Sequence, residues 1–122
     1  MTEVINSKRY DLEERTAIFA EKCRVFAKKL PRIISNIEDG KQLIRSSGSQ
    51  AANYIEANES LSRKDFIHRI KICRKETKES CLWLRLCDAG NSERLEVERN
   101  LLKNEAIELR KIYTSILEKS RF

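Results

Sequence analysis

Lys64, His68, Lys71, Lys75, Lys78 and Arg85 follow one another at steps of four, three, four, three and seven. On a helix those steps hold side chains on one side. Cations in such a row can track phosphates through contacts that are sensitive to salt and indifferent to base sequence. The same row can also be a solvated face carrying i,i+4 ion pairs, such as Lys75 with Glu79. Binding to a single strand would call for aromatic stacking platforms nearby. Tyr54 and Trp83 are the candidates, and both also read as packing or subunit-contact residues.

A second group, Arg45, Asn53, Glu56, Glu76 and Glu79, places polar side chains close to packing seams. It reads as a hydrogen-bonded network that fixes helix register, or as a small polar pocket for a ligand. A metal centre and a cofactor are not expected. The chain has 1 His, so Asp65-x-x-His68 is a single imperfect half of the Glu-x-x-His pair that a di-metal carboxylate site needs. Cys23, Cys73, Cys81 and Cys87 form no CxxC pair, and each falls on or near an apolar helical stripe. They are expected as small, reduced core residues.

The elements that must position these residues can be read from the apolar steps. Phe66, Ile70, Cys73, Thr77, Ser80, Leu84 and Cys87 share the side opposite the cations. Ser62 can cap this third helix, Asp65 suits its first turn, and Gly90-Asn91 is a plausible stop, giving about 63–89. In the first helix, about 11–30, Leu12, Thr16, Phe19, Cys23, Phe26 and Leu30 form a heptad face behind a cap at Asp11. Met1 to Tyr10 is expected as a lead-in, and Pro31 makes Leu30 the end. Ile33 and Ile37 continue the apolar spacing as a short piece before a turn at Asp39-Gly40. The second helix follows, about 41–59, with Ile44, Ser47, Gly48, Ala51, Ile55 and Asn58 as its packing side. These are mostly small, so a neighbouring helix can approach closely. The fourth helix, about 92–119, carries Leu95, Leu102, Leu109 and Ile116 at seven-residue intervals. Four amphipathic helices with short connections predict one all-α domain over 1–122, an antiparallel up-and-down four-helix bundle.

The totals agree. A chain of 122 residues suits one domain, and 3 Gly, 1 Pro and 36% charged residues suit long helices with salt-bridged outer faces. With 25 Lys+Arg against 19 Asp+Glu, the formal net charge of +6 favours acidic partners, nucleic acid first. No apolar run approaches the roughly 20 residues that span a bilayer. The opening MTEVINSKRYDLEE has no signal-peptide core, so a cytoplasmic protein without membrane contact is expected.

Three stretches together resemble a known family. They are RSSGSQAANYIEAN (45–58), with its Arg, Ser and Asn-x-x-Glu, KDFIHRIKICRKETKESCLWLRL (64–86), with Lys75-Glu76, Glu79 and Trp83-Leu84, and NEAIELRKIYTSILEKS (104–120), with Glu-Leu and Ile-x-x-Ser-Ile. The chain resembles the four-helix-bundle proteins named for intervening sequences in bacterial 23S ribosomal RNA genes. It departs from their pattern at Cys73, Cys81 and Gly48. The resemblance implies a helical bundle that assembles into a ring, often a homopentamer, and it implies no established activity. In outline the chain is also similar to the accessory proteins of diversity-generating retroelements, which serve a reverse transcriptase. Separately, Arg63 and His68 fit the short Arg-x4-His pattern of HEPN ribonuclease domains, where the pair serves metal-independent RNA cleavage. The expectation is a noncatalytic, ring-forming module that contacts RNA or DNA through the third-helix cations, with Tyr54, Trp83 and Leu86 at subunit contacts. The alternatives are a scaffold for a protein partner, such as a reverse-transcriptase accessory protein, and a HEPN-like ribonuclease.

Overall fold

Two prolines' worth of breaks are not available to this chain, and its single Pro31 marks the first of three short connections between four helices. They are α1 (Thr2–Lys29), α2 (Ile34–Asn58), α3 (Arg63–Leu86) and α4 (Glu93–Lys119). A computed structural model describes the backbone of residues 2–121 and the side chains of residues 12–121. Neighbours in chain order pack together, and α4 closes back on α1.

Cross-helix pairs give the directions. Asn58 donates to Glu13 at 2.7 Å, while a Cβ on Gly40 would lie 3.7 Å from Ala27. Ser46 meets Ser80 at 2.8 Å and Asn53 meets Arg69 at 3.0 Å. Arg15 pairs with Glu105 at 2.7 Å and Lys29 with Glu98 at 3.3 Å. Arg63 reaches Ser120, and Arg99 reaches Cys87. In every pair one residue number rises as the other falls, so each helix runs antiparallel to both neighbours. The all-α four-helix bundle expected from the apolar steps is the fold.

Phe19, Cys23 and Phe26 of α1, Leu43 and Tyr54 of α2, Ile70, Cys73 and Leu84 of α3, and Leu102, Leu109 and Tyr113 of α4 fill the centre. The core also contains polar groups. Gln50 is fully buried; its amide donates to the Thr16 carbonyl at 2.9 Å and the Ser47 carbonyl at 3.0 Å, and its oxygen accepts from the Tyr113 hydroxyl at 2.5 Å. One side chain therefore joins α1, α2 and α4 with its polar atoms satisfied. Ser46 and Ser80 are both buried at their 2.8 Å contact, which is the close approach that small residues on α2 permit.

Three boundaries differ from the sequence expectation. Helix α1 begins at Thr2, so Asp11 lies inside it; the side-chain cap proposed for Asp11 lies outside the described side chains. Helix α2 begins at Ile34, and Asp39-Gly40 is helical rather than a turn. The break falls at residues 30–33, where Ile33 is extended at φ −113° and ψ 158°. Buried Asn36 fixes it: its amide donates to the Pro31 carbonyl at 2.9 Å and the Asp88 carbonyl at 2.8 Å, and its oxygen accepts from the Asp88 N–H at 2.8 Å. Helix α3 ends at Leu86, short of 89, because Cys87 turns extended and the Arg99 guanidinium donates to its carbonyl. Gly90, at φ 64°, then takes the left-handed position that reverses the chain toward Ser92, the cap of α4.

Gly40 is helical without needing to be glycine, since an added Cβ would meet Ala27 at an ordinary 3.7 Å. Gly40→Ala is therefore expected to stabilise the bundle by about 0.5–1 kcal/mol. A shift of the urea midpoint to higher concentration at unchanged slope would show it.

Candidate nucleic-acid interface

Helix α3 is aimed by its seam. The Ser62 hydroxyl accepts from the Asp65 N–H at 3.0 Å, which starts the helix in register. Ile70, Cys73, Thr77, Ser80 and Leu84 are buried, as is Cys87 just beyond. The opposite side then faces solvent, and Lys64, His68, Lys71, Lys75, Lys78 and Arg85 are all exposed. At 1.5 Å per residue the row is about 30 Å long. Among the described residues, none of the six takes part in an ion pair.

The Lys75–Glu79 pair that would have neutralised part of this row is not made. Arg45 of α2 takes Glu79 at 3.0 Å and Glu76 at 3.0 Å. Glu76 is only 7% exposed, so this pair closes the α2–α3 seam. Its hydrogen bond to Glu76 raises the Arg45 guanidinium above its ordinary value, against a smaller opposing cost of burial. Of the five residues expected to form one polar network, the structure brings together Arg45, Glu76 and Glu79. Asn53 belongs to a neighbouring group, donating to the Ser49 carbonyl at 3.0 Å and accepting from Arg69 at 3.0 Å. Glu56 is exposed and joins neither group. The carboxylates of α3 are thus engaged away from its cationic row: Glu76 and Glu79 with Arg45, Asp65 with Arg69 at 3.9 Å.

At the start of α3, Arg63 donates through Nε and Nη2 to the Ser120 carbonyl at 3.0 and 2.6 Å. It satisfies a carbonyl left open at the end of α4 and places a cation where the helix dipole favours one. Arg63, Lys64, Ile67, His68 and Lys71 line one open surface depression.

Tyr54 is not a surface residue. It is 5% exposed, and its ring centre lies 6.2 Å from that of buried Tyr113. The expectation that Tyr54 serves a subunit contact is corrected: its apolar bulk completes the core of α2, where serines and Gln50 leave room. Trp83 is half-buried against the core, and Leu86 is 49% exposed beside exposed Leu82. The basic row of α3 therefore turns apolar at its far end.

The cysteines are free thiols, with Cys23, Cys73 and Cys87 buried. Burial pushes Cys23 and Cys73 up to about 12 and Cys87 to about 11, so all three stay protonated at neutral pH. Cys81 is partly exposed; burial raises it too, while Arg110 and Lys103 of α4 pull the other way. In the antiparallel register set by Arg63 on Ser120 and Arg99 on Cys87, Lys103 and Arg110 fall opposite Cys81 and Arg74, which places α4 cations beside the α3 row. Arg74, Lys103 and Arg110 were missed as a group in the sequence, although the seven-residue step from Lys103 to Arg110 was available as a signal. Among the described residues, no helix is long and apolar enough to cross a membrane.

No family model matches the chain, and no curated protein matches it. The bundle is similar to a crystal structure from Bacteroides thetaiotaomicron of a protein with unknown function from the S23 ribosomal protein family. That likeness has a TM-score of 0.72 and 27% sequence identity, and it covers 86% of this chain and 96% of that chain.

Proposed function

We propose that this protein is a noncatalytic helical-bundle module of the rRNA-intervening-sequence type, cytoplasmic, that contacts RNA or DNA through the outer face of α3. The observation that carries the reading is the row Lys64, His68, Lys71, Lys75, Lys78 and Arg85, exposed and without ion-pair partners among the described residues. The net charge of +6 and the likeness to the S23-family structure support it. Assembly into a ring, with Trp83 and Leu86 at subunit contacts, belongs to the same proposal. A ring would multiply weak phosphate contacts through effective concentration. Gel-shift titration of short RNA and DNA at low salt tests the reading. Retarded complexes that dissolve as salt rises are expected, and no binding at low salt ends it. Light scattering on the eluting protein tests the ring, and a monomer at high concentration ends that part.

Two observations favour other readings. The exposed Leu82 and Leu86 at the end of α3 suit a protein partner; a partner retained after nuclease treatment would favour this scaffold role. The depression shared by Arg63 and His68 suits a metal-independent ribonuclease. On that reading His68→Ala abolishes cleavage of single-stranded RNA at an unchanged melting temperature, and a parent protein that cleaves nothing in chelator excludes it.

A further inference from the structure

We infer that the cationic surface spans α3 and α4 together and fits the backbone of a nucleic-acid duplex rather than a single strand; this rests on the nucleic-acid reading above and deepens it. The first observation is a second row of cations. In the antiparallel register set by Arg63 on Ser120 and Arg99 on Cys87, Lys103 and Arg110, seven residues apart on α4, fall opposite Cys81 and Arg74 of α3. Lys111, the next residue along α4, is paired with Glu108 at 3.5 Å and does not add to this row. Lys71, Arg74 and Lys78 lead up to Cys81 on the α3 side.

The second observation is where the carboxylates go. Glu76 and Glu79 bind Arg45 of α2, and Glu98 and Glu105 bind Lys29 and Arg15 of α1. Ion pairs thus hold the α1–α4 and α2–α3 seams, and the charge they leave behind collects between α3 and α4. Packed helices lie about 8–10 Å apart. Two rows at that spacing can each follow one strand across a duplex groove, whose widths are about 6 and 12 Å in B-form DNA. A single strand meets one row at a time. The duplex also concentrates charge, about one phosphate per 1.7 Å of axis against one per 3.4 Å for each strand.

The third observation concerns rings. Phe19, Phe26, Tyr54 and Tyr113 are buried, and Phe66 and Trp83 are half-buried, so every aromatic ring among the described side chains is at least partly covered. Stacking platforms are what sequence-tolerant single-strand binders use. A surface of point charges without them reads backbone, and it distinguishes neither base sequence nor RNA from DNA strongly.

Fluorescence anisotropy on a labelled RNA strand, the matching RNA duplex and the DNA duplex of the same sequence tests this. Both duplexes are expected to bind at least about tenfold tighter than the strand and within a few-fold of each other. Lys103→Gln/Arg110→Gln is expected to lower the log–log salt slope on the duplex by about 1.8, and to leave single-strand affinity within about twofold. Because Arg110 is partly buried, Lys103→Gln alone is the companion variant, with a slope change of about 0.9. A strand bound as tightly as its duplex overturns the inference, as does a large preference for one duplex or an unchanged slope in both variants. If Lys71→Gln/Lys78→Gln weakens binding while the α4 variants do not, only this inference falls. If the parent binds no nucleic acid at low salt, the reading beneath it falls as well.

Discussion

Reversing three charges on α3, Lys71→Glu/Lys75→Glu/Lys78→Glu, is expected to weaken binding to RNA and DNA at least about a hundredfold while leaving the bundle folded. The fold should tolerate it for a local reason. All three side chains are exposed, and none has an ion-pair partner among the described residues to lose. Lys and Glu have similar helix propensities, and substitutions at such positions usually stay within about 0.5 kcal/mol each. Binding has no such insulation. Three phosphate contacts would be replaced by three repulsions, and the log–log salt slope should fall by about 2.7 if each contact counts fully. A gel shift beside a melting curve separates the two effects. Unchanged binding by a folded variant would mean that the row is only a solvated face.

That face was legible because everything defining it is local to α3. Ser62 and Asp65 set the start, one apolar period sets the seam, and the cations lie opposite. What lay outside the reach of local pattern was the choice among partners far away in sequence. Glu79 had Lys75 within one turn, yet it bonds Arg45, 34 residues away, because the α2–α3 seam brings that guanidinium to both Glu79 and Glu76. The start of α2 failed for a similar reason. Asp39-Gly40 has the composition of a turn, but the break is set by Asn36 and by Asp88, 52 residues on.

Helix α2 was also read on the wrong side in part. Its aliphatic residues drew attention to Ile44 and Ile55, yet Ile55 is 48% exposed, and the buried face is Asn36, Gly40, Leu43, Ser46, Ser47, Gln50, Ala51, Tyr54 and Ala57. A core face rich in hydroxyls and amides carries little hydrophobic period, so Tyr54 looked surplus when it was central. Arg74, Lys103 and Arg110 escaped notice because the surface they share exists only once α3 and α4 are side by side.

The polar core on α2 makes the largest stability prediction. Gln50→Leu preserves much of the side chain's bulk, but it strands the buried Tyr113 hydroxyl and removes the donor to the Thr16 and Ser47 carbonyls. Leaving a buried hydroxyl without a partner costs about 1–3 kcal/mol, and the lost amide bonds bring the expected destabilisation to roughly 2–4 kcal/mol. Adding Tyr113→Phe removes the stranded hydroxyl, so the double variant should recover about 1–3 kcal/mol relative to adding the two single effects. Strict additivity in urea melts would refute the coupling. Alkaline pH offers an independent check. Burial pushes the Tyr113 phenol well above its ordinary 10.0, so its stabilising share is complete below that value and is lost as pH rises beyond it. Buried Cys23 and Cys73, raised from 9.0 to about 12, lose stability in the same direction from a lower pH. The parent should therefore weaken steadily above about pH 9 and more steeply above about pH 10, and Tyr113→Phe should show only the earlier, thiol-driven part.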